Sequence, residues 1–168
     1  MKVFFISRYN FYQQLGILQL SGMISKLSIE RQLLVPNLEL ISKKIGKNNE
    51  KIIFAYSVMS FDVDYYIEFN KKIKNIYNNS ISVFGGAHPT FNPDMIEKCD
   101  KIDAVCIGEG ELSFLELCNR VLRNEDFYKI KNFWFRKGKN IIKNPIGDLV
   151  RDLSEFPLSD RSIYKSIS

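Results

Sequence analysis

The chain has 168 residues, 45% hydrophobic and 26% charged, values that suit one globular domain with a substantial core and exclude a disordered or fibrous chain. A formal charge of +5 is spread along the chain except for six Lys and Arg without an acid over 129–143, so a nucleic-acid surface is not implied by charge alone. No apolar run approaches the ~20 residues of a membrane helix, and Met1–Ser7 lacks the apolar stretch and cleavage site of a secretory signal, so a cytoplasmic location with no membrane contact is expected.

In chain order, Lys2–Ser7 reads as a first strand, continuously apolar as parallel strands covered on both faces are. Leu20, Met23, Ile24 and Leu27 then follow helical spacing. Gln32–Val35 is a weaker strand ended by Pro36. Lys51–Ser57 is the next strand; after it Asp62 is placed to cap a helix whose buried stripe is Tyr66, Phe69, Ile73 and Ile76. Ile81–Phe84 and Asp103–Ile107 are further strands, and Phe114, Leu117, Cys118 and Val121 mark the last helix. The alternation predicts a doubly wound, flavodoxin-like (Rossmann-like) α/β fold: a mostly parallel five-stranded sheet with helices on both faces. Phe133–Asn144 reads as a β-hairpin about Gly138, and the polar stretch 148–168, with Pro157, as a linker. The expected division is 1–124 for the α/β domain, 125–147 for the hairpin extension and 148–168 for the linker.

In such sheets ligands bind beyond the carboxyl ends of the strands. Those places hold a long loop from Ser7 to Gly16, then Ser57-Val58-Met59-Ser60, Gly85-Gly86-Ala87-His88-Pro89-Thr90 and Gly108-Glu109-Gly110-Glu111. Paired glycines either let a ligand lie against the sheet edge or make a tight turn, and the residues leave both open. Neither loop has the spaced glycines of a dinucleotide site or a phosphate-loop lysine, which disfavours nicotinamide cofactors and nucleotide hydrolysis. His88 is the single histidine; without a partner His or nearby Cys it predicts no protein-built metal site, and no catalytic residue is expected. Cys99, Cys106 and Cys118 fit neither a disulfide framework nor a zinc spacing, so free buried thiols are expected. In the basic segment, Phe133, Trp134 and Phe135 interleave with the cations; a solvated hairpin is favoured there over nucleic-acid binding.

The pair formed by Val83-Phe84-Gly85-Gly86-Ala87-His88-Pro89-Thr90 and Asp103-Ala104-Val105-Cys106-Ile107-Gly108-Glu109-Gly110-Glu111 resembles the cobalamin-binding domains that precede radical S-adenosylmethionine (SAM) domains. The resemblance covers nearly the whole chain. Leu15-Gly16-Ile17 is similar to the start of the family's first helix, with Gln13-Gln14 where prolines are usual; Ser57-Val58-Met59 matches a further element, and 153–161 its linker. The resemblance implies a cobalamin-binding module of a radical SAM methyltransferase or related enzyme. SAM and a 4Fe-4S cluster would be held by a covalently following domain absent from this chain. It implies that Gly85 and Gly86 line a groove for the cofactor's nucleotide tail, with Ser57 beside its dimethylbenzimidazole. Ala87, His88, Thr90 and the Gly108–Glu111 loop would border the corrin, with Gln13, Leu15, Gly16 and Met59 completing the shelf. Related domains of methionine synthase and the mutases place a cobalt-ligating His where this chain, aligned on Gly16, has Gln13. The implied cobalamin is therefore base-off without a histidine lower ligand, leaving Gln13, Tyr12 or water to face cobalt. A phosphoreceiver would need acids where Ser7-Arg8 and Ser57 stand. A domain of this fold with only a structural or interaction role is the remaining alternative.

Overall fold

The computed structural model describes residues 1–8, 14–45 and 50–166. Five strands come first: β1 (Lys2–Ile6), β2 (Glu30–Leu34), β3 (Ile52–Ser57), β4 (Ile81–Gly85) and β5 (Ala104–Cys106). They run parallel in the order β2-β1-β3-β4-β5. Helices α1 (Leu15–Met23) and α6 (Glu111–Arg123) cover one face; α2 (Leu38–Ile45), α3 (Val63–Ile76) and the short α5 (Met95–Lys98) cover the other. A one-turn helix, α4 (Ala87–Phe91), sits between β4 and α5. Because side chains alternate along a strand, Val3 and Phe5 enter the core under α1 and α6, while Phe4 and Ile6 enter the one under α2 and α3. Both faces are therefore apolar, which is why these strands show no polar alternation. None of the helices among the described residues is long and apolar enough to cross a membrane.

The doubly wound, mostly parallel sheet is as read, with two strands more than the expected five. The hairpin strands β6 (Phe133–Lys137) and β7 (Asn140–Lys143) join β5 antiparallel and make one seven-stranded sheet. Pairing covers what would be an open edge of β5 and buries Phe133 and Phe135 beside Ile130. Turn chemistry located the hairpin: Gly138 has φ +61°, as the first central residue of a type II′ turn requires. Where the hairpin docks is a tertiary matter.

Smaller readings shift as well. Helix α1 starts at Leu15 and ends at Met23, burying Ile17, Leu18 and Ser21, so Leu27 lies beyond it. In α3 the last residue of the expected stripe, Ile76, ends the helix and is exposed. Asp62 occupies the N-cap position of α3 without capping it; its carboxylate accepts the Met59 amide at 2.9 Å instead. The α6 stripe of Phe114, Leu117, Cys118 and Val121 is buried throughout. All three cysteines are free and buried.

The stretch read as a linker lies against the domain. Asp160 N donates to Leu18 O at 2.9 Å, and Gln19 Nε2 to Pro157 O at 3.0 Å. Asp160 Oδ2 accepts from Ser21 Oγ at 2.7 Å and from Arg31 Nε at 3.1 Å. Ile163 is buried in the α1–α6 core. The approach depends on Gly22, where a Cβ would stand 2.6 Å from Leu158 O. Burial alone would raise the Asp160 carboxyl, but hydrogen bonds from Ser162, Ser21 and Arg31 outweigh it and hold the group below the usual range.

Candidate functional site

Strand register gathers small residues at one end of the α1–α6 face. Phe5, Ala55, Val83 and Ala104 align across β1, β3, β4 and β5. The next row toward the carboxyl ends holds Ser57 opposite Gly85, with Cys106 against Gly85 at 3.7 Å from where its Cβ would be. These short side chains leave the sheet and helices apart, and a cleft of about 420 Å³ opens between them. Its walls are Gly16, Ile17 and Leu20 of α1, Gly110 just before α6, and Glu111 and Phe114 of α6. It lies where the strand order reverses between β1 and β3, the place at which doubly wound sheets receive ligands.

The loops around the mouth are stitched in sequence along the sheet edge. Val58 N donates to Gly85 O at 2.8 Å, and His88 N returns to Val58 O at 3.0 Å. His88 Nδ1 lies 3.1 Å from Ser60 Oγ, so the histidine joins the β3 and β4 loops. Thr90 Oγ1 donates to Gly86 O at 2.8 Å and accepts Gly108 N at 3.1 Å. Asn132 Nδ2 holds Glu109 O at 2.8 Å, and Val150 N reaches Glu109 Oε2 at 3.3 Å. This last link brings Leu149 to the cleft wall. Gly86 can only be glycine here: its φ is +98°, and a Cβ would lie 2.9 Å from Val58 N.

The floor is apolar and unreactive. Burial, aided by the nearby Glu111 carboxylate, pushes the Cys106 thiol up to about 12, so it stays protonated at neutral pH. On the opposite face, burial and then Asp103 raise the Tyr56 phenol well above its ordinary value; its hydroxyl donates to Asn70 Oδ1 at 3.1 Å. Among the described residues no group of three or more His, Cys, Asp or Glu is placed to hold a metal ion. What the cleft offers is backbone groups, short side chains and an apolar floor.

Of the residues singled out from sequence, Gly16, Ser57, Gly85 and Gly86 line the cleft, as does the whole Gly108–Glu111 turn. Leu15, 63% exposed, and Met59, 46% exposed, stand on the rim outside it. Ala87, His88 and Thr90 are off the lining in or beside α4. Gln13, with Tyr12, lies outside the described residues. Sequence reasoning missed Phe5, Ala55, Val83, Cys106, Phe114 and Leu149, because an apolar residue under a cleft looks like any core residue. The basic hairpin is largely engaged internally: Lys143 pairs with Glu97 at 2.6 Å and covers the Trp134 ring, Lys137 covers Tyr128, and Arg136 binds the Ile96, Cys99 and Ile102 carbonyls.

A model of the B12 binding domain family matches residues 1–118. An uncharacterised methyltransferase of Pyrococcus horikoshii is 32% identical over 119 residues, covering 70% of this chain and 26% of that protein. An anaerobic magnesium-protoporphyrin IX monomethyl ester cyclase of Synechocystis is 30% identical over 79 residues, 46% of this chain and 16% of the relative. Among solved structures, the cobalamin-dependent SAM radical enzyme OxsB with aqua-cobalamin and SAM bound superposes over 98% of this chain at a TM-score of 0.76 and 17% identity, using 25% of its own length. The radical SAM methyltransferase TsrM of Kitasatospora setae superposes over 86% of this chain at 0.69 and 15% identity, using 30% of its length. These two share the fold. The chain thus spans about a quarter of the length of the first relatives it matches.

Proposed function

This chain belongs to the B12 binding domain family, and on that premise we propose that it is the cobalamin-binding module of a cobalamin-dependent radical SAM enzyme. The observation that carries the reading is the cleft at the β1/β3 switch point, walled by the Gly85-Gly86 and Gly108–Glu111 loops, with every lining residue except Leu149 within the matched residues. Its volume of about 420 Å³ falls at the low end of the range for small-molecule sites. That suits the nucleotide end of cobalamin and leaves the corrin to lie over the rim. The fit to the chemistry is good: an apolar floor of Ala55, Val83 and Cys106 for an aromatic base, and glycines at 85 and 110 that keep side chains out of the cleft wall beside Cys106.

In this reading Ser57, Gly85 and Gly86 hold the nucleotide tail, Glu109 and Glu111 face its polar atoms, and Leu15, Met59, Ala87 and His88 border the corrin. Cobalamin would be held base-off without a histidine from the first loop, whose sequence offers Tyr12 and Gln13 in its place, or water, for the metal. Bound cobalamin would supply the methyl-carrying chemistry, while this chain orients it and shields its base from water. The parent protein would add SAM and a 4Fe-4S cluster in a following domain reached through 148–168, and methyl transfer or a related radical reaction would be its activity. The three free thiols accord with a cytoplasmic setting.

Anaerobic incubation with hydroxocobalamin, followed by gel filtration and an absorbance spectrum, tests the reading. Retention of about one cobalamin per chain with a base-off spectrum is expected; no retained cobalamin at micromolar protein would overturn it.

A further inference from the structure

We infer that Thr90 is a positioning residue that sets the spacing of the two glycine loops flanking the cleft, and through it the affinity for the nucleotide end of cobalamin; this rests on the cobalamin reading above. The paired register of β4 and β5 extends only through Val83–Ala104 and Phe84–Val105. Beyond that point no ladder pairing joins the chains, although Gly85 still stands beside Cys106, and the loops that follow, Gly85-Gly86 and Gly108-Glu109-Gly110, carry no side chain at the glycines to hold one to the other. Gly108 has φ +74°, and the space where its Cβ would stand is open.

The Thr90 hydroxyl bridges this gap. It donates to Gly86 O at 2.8 Å and accepts the Gly108 amide at 3.1 Å. Apart from the sheet ladder, no other hydrogen bond among the described residues runs between the β4 and β5 loops. The chemistry requires a group that donates to one loop and accepts from the other at once, which a hydroxyl does. Loss of the bridge has unequal effects. Gly86 O keeps the Thr90 backbone amide at 3.2 Å, whereas the Gly108 amide loses its partner. Thr90 does not itself line the cleft, so its influence passes through the loops. In this chain the threonine four residues after Gly86 and the Gly-Glu-Gly turn thus each supply half of one joint.

The test compares Thr90→Val, nearly the same shape without the hydroxyl, with Thr90→Ser, in the full chain. Titration uses hydroxocobalamin and, in parallel, cobinamide, which has the corrin but lacks the nucleotide base. Thr90→Val is expected to weaken cobalamin about tenfold, the order of one lost hydrogen bond with its loop restraint. Cobinamide affinity should stay within about twofold of wild type, and Thr90→Ser should restore cobalamin binding. The Gly108 amide should exchange faster in Thr90→Val without any ligand. If the valine variant does not fold, Thr90→Ala removes the same hydroxyl without adding bulk. Uptake by wild type with unchanged uptake by Thr90→Val, or equal losses for cobalamin and cobinamide, would overturn this role alone. Failure of the wild-type chain to take up cobalamin would overturn the proposed function and this role together.

Discussion

Replacing Gly86 by alanine probes the tightest point of the site. Its backbone, φ +98° and ψ −165°, lies in a region that only glycine occupies readily, and a side chain there costs on the order of 1–3 kcal/mol. The new Cβ would stand 2.9 Å from Val58 N and 3.0 Å from Val58 O, with Ser57 Oγ at 3.3 Å. Two of these neighbours are backbone atoms, so a rotamer change cannot relieve them. The β3 loop must move, straining the bonds from Val58 N to Gly85 O and from His88 N to Val58 O, each worth about 1 kcal/mol. The sum is about 3–5 kcal/mol, a large share of a typical domain's stability. Gly108→Ala is the internal comparison: φ is +74° but the space is open, so the cost is backbone strain alone, about 1–2 kcal/mol. Urea unfolding of the two variants beside wild type reads both numbers. A Gly86→Ala protein within about 1 kcal/mol of wild type, or one no worse than Gly108→Ala, would refute the steric argument.

Gly85→Val should leave stability within about 1 kcal/mol, since a β-branched residue suits a strand and its Cβ meets only Cys106 at an ordinary 3.7 Å. By filling the cleft it should reduce hydroxocobalamin uptake at least about tenfold, read by the same spectrum. Cys106, with its thiol pushed up to about 12, should resist iodoacetamide at pH 8 in the folded protein and react once urea exposes it, as peptide mass spectrometry would report; labelling under native conditions would contradict its burial. Gly22→Ala should keep α1 helical yet displace the tail, because a Cβ at 2.6 Å from Leu158 O cannot be accommodated in place; faster limited proteolysis after residue 148 is the expected sign. Asp160 is held below the usual carboxylate range, so its contribution to tail docking is complete above the unfolded value near pH 4 and is lost as pH falls through the lower folded value. Hydrogen exchange at the Asp160 amide should accelerate only in that acid window, and Asp160→Asn should remove the pH dependence.

Much of the site was legible because the fold places ligand loops at strand ends. Finding the strands located Ser57, Gly85 and the Gly108–Glu111 turn, and those residues do face one cleft. His88 and Thr90, read as candidate contacts, also serve as joints in the fold: one ties the β3 and β4 loops, the other the β4 and β5 loops. Their polar side chains gave the same local signal either way. Asp62 shows a similar ambiguity, since an acid before a helix can cap it or brace the preceding turn, and here it does the latter.

From sequence alone came the α/β class, the parallel sheet, the α6 stripe and the hairpin turn at Gly138, all of which rest on periodicity or turn chemistry within a few residues. Tertiary structure alone decided three things: that Ala55, Ser57, Gly85 and Cys106 meet to open a cleft, that the hairpin completes a seven-stranded sheet, and that the polar tail returns to dock on Ser21 and Arg31. The reason is range. Each small residue is unremarkable within its own strand, and only register between strands that lie tens of residues apart in sequence brings the four side by side. The tail's polar composition reads as solvated, while its partners stand more than a hundred residues away along the chain.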